Sequence, residues 1–226
     1  MLIALPNPDG SFTCTLFFPF AGSPSFAELD TPEKVKQFFL EVFPDACELI
    51  PGLEHEFMRN PTGSLVTVKA FPWTYKNQLM LIGDAAHAIV PFYGQGMNCG
   101  FEDVNELDDI LTATNENWEV ALHQFQQQRK PNGDAILDLA LHNYIEMRDL
   151  SGRKDFQLRT QIEKKIAEKF PEKFMTHYAM VTFSDLSYSE AKKRGEKHDR
   201  RRNNYTRRRE EKHDGRRNNY TRRRAY

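Results

Sequence analysis

This 226-residue chain is poor in the features that mark secreted, metal-scaffolded or membrane-spanning proteins. It has three cysteines, Cys14, Cys47 and Cys99. An odd number at wide, irregular spacing supplies neither a disulfide framework nor a metal-ligand pair, and it points to a reducing compartment. No run approaches the ~18 apolar residues that a spanning helix needs. The opening MLIALPNPDG is apolar for five residues and then turns. Without a basic n-region or a small-residue cleavage site it does not read as a signal peptide. It starts abruptly on what looks like a strand, so a longer relative is expected to carry something before it.

Net charge is also scarce, at −1, but only by cancellation. Residues 192–226 hold 16 Lys/Arg against five Asp/Glu, whereas residues 1–191 hold 15 against 27. An acidic body is joined to a basic tail, which argues for two separate regions. The tail is a duplication: EKHDRRRNNYTRRR (196–209) returns as EKHDGRRNNYTRRR (211–224). A repeat this short, polar and basic buries no core, so it is expected to be disordered. A basic arm of this kind can bind nucleic acid or acidic membrane. Repeat expansion or a read-through segment accounts for it better, and nucleic acid is not expected as a partner.

The body is mixed, strands first and helices later. Met1–Leu5 and Ser11–Phe18 flank a Pro/Gly turn and predict a hairpin. Thr31-Pro32-Glu33 opens a helix with a cap and an N1 proline. Its apolar positions Val35, Phe38, Phe39, Val42 and Phe43 share one face, and Pro44 ends it. Ser64–Phe71 and Gln78–Ile82 read as strands. Helices are predicted over Trp118–Arg129, Pro131–Leu150 and Phe156–Phe170, and Phe101, Val104, Leu107 and Leu111 form a further helical stripe. Glu172–Ala191 carries an aromatic cluster.

The chemistry concentrates in LIGDAAHAIVPFYGQGMNCGFED (81–103). Asp84 follows a buried strand, where it either caps a turn or accepts hydroxyl hydrogen bonds from a sugar-like chain. Gly94-Gln95-Gly96-Met97-Asn98-Cys99-Gly100 is one residue too long for a dinucleotide fingerprint. Its two leading glycines leave a helix N-terminus unscreened, and free N–H groups there suit an anion or a ring carbonyl. His87 has no nucleophile beside it and reads as structural. Asn143 lies on the apolar stripe of its helix, as a satisfied core amide or a ligand-facing one. Met147 fits core filling, and Tyr178 a core aromatic with its hydroxyl tied to backbone.

The same stretch resembles the second flavin-binding motif of the FAD-dependent aromatic-ring hydroxylases. ALPNPDGSFTCTLFFPF (4–20), NYIEMRD (143–149) and HYAMVTFSDLSYSEA (177–191) resemble a member of that family whose substrate is kynurenine. The resemblance covers roughly residues 1–191. It implies that Asp84, Gly94, Gly96, Met97 and Asn98 meet FAD, while Phe92, Asn143, Met147 and Tyr178 line a kynurenine pocket. It implies hydroxylation of the ring beside the amine, with NADPH and O₂ as co-substrates, and no catalytic acid–base residue or metal ligand. It also implies a site on the cytosolic face of the mitochondrial outer membrane. The alternatives are a hydroxylase of another aromatic acid, a non-catalytic fragment, or a basic-tailed binding module.

Nothing in the sequence matches the Rossmann unit that holds the FAD pyrophosphate in such enzymes, nor their apolar C-terminal anchor. The expectation is an incomplete chain of α+β class, part of an α/β FAD-dependent hydroxylase fold, with a mixed sheet and C-terminal helices. Its divisions are expected to be substrate-domain strands and helix (1–75), the last part of the FAD-binding domain (76–130), a helical region (131–191) and the basic tail (192–226).

Overall fold

The structure is a computed structural model and describes residues 1–198. Two compact units divide it, Met1–Ser64 and the part from Leu65 onward. The repeat, from residue 199, lies outside the described residues.

In the first unit, β1 (Leu2–Pro6) and β2 (Phe12–Leu16) form the predicted antiparallel hairpin, with Leu2 opposite Leu16 and Pro6 opposite Phe12. Asp9 closes the turn by accepting from the Ser11 N–H at 2.9 Å. Helix α1 (Pro32–Val42) begins where Thr31 Oγ1 accepts from the Lys34 N–H. The side-chain cap and the ready-set φ of Pro32 relieve the unpaired donors of the first turn. Pro44 ends α1 and opens α2 (Pro44–Leu49), and α3 (Leu53–Arg59) follows. The expected stripe is buried in part: Val35, Phe38 and Phe39 are core with Leu29 and Leu53, Phe43 packs against them, and Val42, in the last turn, is exposed. Phe38 and Phe39 meet edge to face at 5.5 Å, which suits the ring quadrupoles.

In the second unit the predicted strand over 64–71 does not form. Val68 and Ala70 donate to the carbonyls of Ala88 and Ala86, at 2.9 and 3.1 Å. No bond is returned, since the Ala86 N–H goes to the Gly83 carbonyl, and no ladder results over 64–71. The second predicted strand shrinks to β4 (Leu79–Met80), paired with β3 (Thr74–Tyr75). After it come the single turn α4 (Asp84–His87), α5 (Gly96–Ala113) and α6 (Trp118–Ile145).

Helix α6 corrects the reading of two helices, because it runs straight through Pro131. A mid-helix proline forfeits one hydrogen bond and crowds the preceding turn, at about 3 kcal/mol. Buried residues on both sides of it, Leu122 and Phe125 before and Ile136 and Leu139 after, outweigh that cost. The helix loosens only at Glu146–Leu150, a π-turn closed by the Ser151 N–H on the Glu146 carbonyl. Then follow α7 (Lys154–Lys169), which buries no residue, α8 (His177–Thr182), and α9 (188–198). The first seven residues counted with the tail, 192–198, therefore belong to a helix.

Two cores flank α6. One gathers Trp73, Ile110, Ala121 and Phe125; the other gathers Tyr93, Ile136, Leu139, Met180 and Tyr188. Between them Gly133 lets α6 approach Trp73 and His87. A Cβ there would lie 2.9 Å from the Trp73 indole and 3.2 Å from the His87 ring. Gly133→Ala would gain roughly 1 kcal/mol of helix propensity. Overpacking between two rigid rings costs more, so the net loss should be about 1–2 kcal/mol. Urea unfolding checks this, and an unchanged or raised midpoint would show that the rings yield.

Candidate functional site: a glycine-flanked helix N-terminus

Two turns in the second unit expose backbone and charge. Gly83, at φ 60°, leads into α4, whose first residue is Asp84. The Asp84 carboxylate is exposed and has no protein partner among the described residues. Further on, the Gly94 N–H closes a turn onto the Pro91 carbonyl at 3.1 Å. Gly94 sits at φ 67°, a conformation that a side chain would strain. Gln95 precedes α5 without capping it through its side chain. The first bond of the helix runs from the Cys99 N–H to the Gln95 carbonyl at 2.9 Å. The N–H groups of Gly96, Met97 and Asn98 are thus left for an outside acceptor, at the positive end of an 18-residue helix. Met97 is 72 % exposed, and the exposed Asn98 amide donates to Gln95 Oε1 at 3.1 Å.

The residues expected to line a substrate pocket converge on the loop before this helix. Asn143 Nδ2 donates to the Phe92 carbonyl at 2.7 Å and lies 3.7 Å from the Met147 sulfur. Phe92 is buried and stacks on Tyr144 at 4.6 Å. Tyr178, half exposed, stacks on Tyr93, one residue along the loop, at 5.5 Å. Phe92, Asn143 and Met147 therefore form one group, and Tyr178 reaches the loop separately. The inward amide of Asn143 is satisfied by backbone here. Glu146 lies near Arg159 and His142, and Arg148 pairs with Asp149.

Behind these turns lies a charged cluster that periodicity misses. Asp103 is fully buried and accepts from His87 Nε2 at 2.6 Å, from Arg129 Nε at 2.8 Å and from the Gly83 N–H at 3.0 Å. Arg129 also reaches Glu102 and the Cys99 carbonyl. Of the stripe read as Phe101, Val104, Leu107 and Leu111, only Leu107 and Leu111 pack against the core. Phe101 and Val104 are exposed, and Cys99, Asp103 and Ile110 point inward. An aspartate can take a core position because two cations and an amide meet it there. The only sign in the sequence was its spacing, four residues after Cys99 and seven before Ile110.

The reading of His87 as structural fits this geometry, but its premise does not hold: the Cys99 thiol, a possible nucleophile, lies 3.8 Å from His87 Nδ1. Burial is the largest influence on its pKa and opposes the charge. The hydrogen bonds to Asp103 and Cys99 outweigh burial and push it up to about 10. Burial likewise works against the Asp103 carboxylate, but His87 and Arg129 hold it below the usual range. His87, Cys99 and Asp103 offer three possible metal donors. Two of them are already in direct contact at 2.6 Å, closer than ligands about a shared ion with bonds of about 2 Å. Arg129 fills the other carboxylate oxygen. The cluster is an internal ion network that ties α4, α5 and α6 to the Gly83 turn.

A family model described as an FAD binding domain matches residues 66–140, the stretch that contains both turns and the ion network. Proteins named kynurenine 3-monooxygenase are similar over nearly all of the described chain. That of Flavobacterium psychrophilum is 52 % identical over 191 residues, 84 % of this chain and 43 % of that protein. That of Myxococcus xanthus is 52 % identical over 195 residues, 86 % of this chain and 42 % of its own length. That of Dictyostelium discoideum is 48 % identical over 207 residues, covering 86 % and 45 %. The chain thus spans somewhat under half the length of these relatives. With an FAD-binding match over the stretch that holds both turns, and about half of the aligned positions shared with these relatives, the chain is similar to the FAD-dependent aromatic-ring hydroxylases over most of its length.

Proposed function

We propose that the chain forms the ring-proximal part of the flavin site, and part of the substrate pocket, of an FAD- and NADPH-dependent monooxygenase that hydroxylates L-kynurenine to 3-hydroxykynurenine. The observation that carries the reading is the uncapped start of α5 behind Gly94, in the same short stretch as the unpaired Asp84. The N–H groups of Gly96, Met97 and Asn98 would meet the flavin ring carbonyls, and Asp84 would accept from ribityl hydroxyls. Phe92, Asn143, Met147 and Tyr178 would hold the aromatic substrate beside them. Bound flavin supplies the redox chemistry, taking electrons from NADPH and passing oxygen from O₂ to the ring. The chain's own part is to orient both rings and exclude water, and no acid–base pair is needed.

In this reading residues 1–75 belong to the substrate-binding region, 76–130 complete the flavin domain, and 131–191 close over it, with 192–198 continuing the last helix. The same reading puts the protein at the cytosolic face of the mitochondrial outer membrane, on the family resemblance. No helix among the described residues is long and apolar enough to cross a membrane.

The test is a fluorescence titration of the 226-residue chain with riboflavin and with FAD. Riboflavin should bind, and FAD should bind no tighter than micromolar, because the motif covers only the ring and ribityl part. Asp84→Ala should weaken both ligands by roughly 1–2 kcal/mol, the loss of charge-assisted hydrogen bonds. Absence of riboflavin binding, or an Asp84→Ala chain that binds like the parent, would remove the assignment.

A further inference from the structure

The loop that presents the α5 N-terminus is held from behind by a side chain nearly one hundred residues away. Tyr188, in the first turn of α9, is 3 % exposed, and its hydroxyl donates to Gln95 Oε1 at 3.1 Å. Gln95 stands between the two glycines and is itself 6 % exposed. The same Oε1 accepts from Asn98 Nδ2, and Gln95 Nε2 points to the Tyr93 carbonyl at 3.5 Å. One amide therefore ties the turn before α5 to the first turn of the helix, and Tyr188 fixes that amide.

The anchor for Tyr188 does not depend on the loop. The Ser189 N–H donates to Asn132 on α6 at 3.2 Å, and Lys192 pairs with Asp138 on the same helix. Tyr188 and Ala191 pack into the core with Ile136, Met180 and Val181. Burial first, then the neighbouring Glu102 through its charge and a hydrogen bond, hold the Tyr188 hydroxyl above the ordinary tyrosine range, so it stays a donor at any ordinary pH.

We infer that Tyr188 is a positioning residue for the flavin loop: acting through Gln95, it fixes where the Gly96, Met97 and Asn98 N–H groups point. It does not touch the ligand itself. The inference rests on the flavin reading given above and deepens it. Gly94 makes the turn pliable, and two flanking glycines offer no side chain to pack. Without a buried brace the N–H groups would be spread over many orientations, and binding would pay for their ordering.

The experiment uses the full 226-residue chain and riboflavin as the probe. Tyr188→Phe keeps the ring and its packing but removes the donor. It should weaken riboflavin roughly three- to tenfold, the loss of one net hydrogen bond. Exchange of the Cys99 amide, which closes the first turn onto Gln95, should quicken while the buried amides of α6 keep their protection. In a Gln95→Met background, Tyr188→Phe should produce no further loss. A purely packing role for Tyr188 would instead lower protection throughout the unit and add to the Gln95→Met effect. No riboflavin binding by the parent would remove the flavin reading itself. Binding by the parent that Tyr188→Phe leaves unchanged, or a full Tyr188→Phe effect in the Gln95→Met background, would overturn the inference alone.

Discussion

Asp103→Ala is expected to destabilise the second unit by about 3–5 kcal/mol, the range for breaking one partner out of a buried ion network. The carboxylate serves three donors at once: His87 Nε2, Arg129 Nε and the Gly83 N–H. Its removal leaves the Arg129 guanidinium, 4 % exposed, with only the half-exposed Glu102 carboxylate and the Cys99 carbonyl and sulfur. His87 can shed its proton, but Arg129 cannot. The Gly83 amide also loses its acceptor, so the turn that carries Asp84 should loosen with the core. Glu102→Ala is the contrast. Its pair with Arg129 is solvent-screened and should be worth no more than about 1 kcal/mol. Urea unfolding followed by tryptophan fluorescence reads both, because the Trp73 ring lies 5.1 Å from the His87 ring. Equal losses for the two variants would show that Asp103 is no keystone, and a drop in riboflavin binding by folded Asp103→Ala would show the turn loosening directly.

The second large effect is on the pH dependence of stability. The folded pKa of His87, about 10, lies above the ordinary 6.5. A raised folded pKa means that the folded chain binds the proton more tightly, so the contribution is complete below about pH 6.5 and is lost as pH rises toward 10. Asp103 acts in the opposite direction. Its lowered pKa gives a contribution present above the ordinary carboxylate range and lost as acid protonates it. The network should therefore be strongest from about pH 5 to 6.5. Between pH 6.5 and 9 the unfolding free energy should fall by roughly 2–3 kcal/mol through His87 alone. Urea midpoints across that range check it, with His87→Gln as the reference. A parent slope no steeper than that of His87→Gln would mean that His87 is neutral in the fold.

Much of the architecture follows from local sequence. The β1–β2 hairpin, the capped start of α1 and the apolar face of Val35, Phe38 and Phe39 are set by turn residues, a side-chain cap and a 3.6-residue period, all of which act within a few residues. The open N-terminus of α5 was legible for the same reason, since glycines and the missing cap are written next to the helix they expose. Tertiary structure decided the rest. Whether Pro131 breaks a helix depends on what is buried on either side of it, and here both halves of α6 bury apolar residues along their length. Whether 64–71 becomes a strand depends on a neighbour that returns its hydrogen bonds, and Ala86 and Ala88 only accept from it. The inward turn of Asp103 contradicts every hydrophobic pattern. It is stable only because His87, 16 residues before it, and Arg129, 26 residues after it, arrive at the same point. Gln95 likewise says nothing of Tyr188, 93 residues away. The sequence by itself determined which backbone would be bare. Packing between distant helices determined what holds that backbone in place, because a buried charge or amide is stable only where the fold delivers its partners.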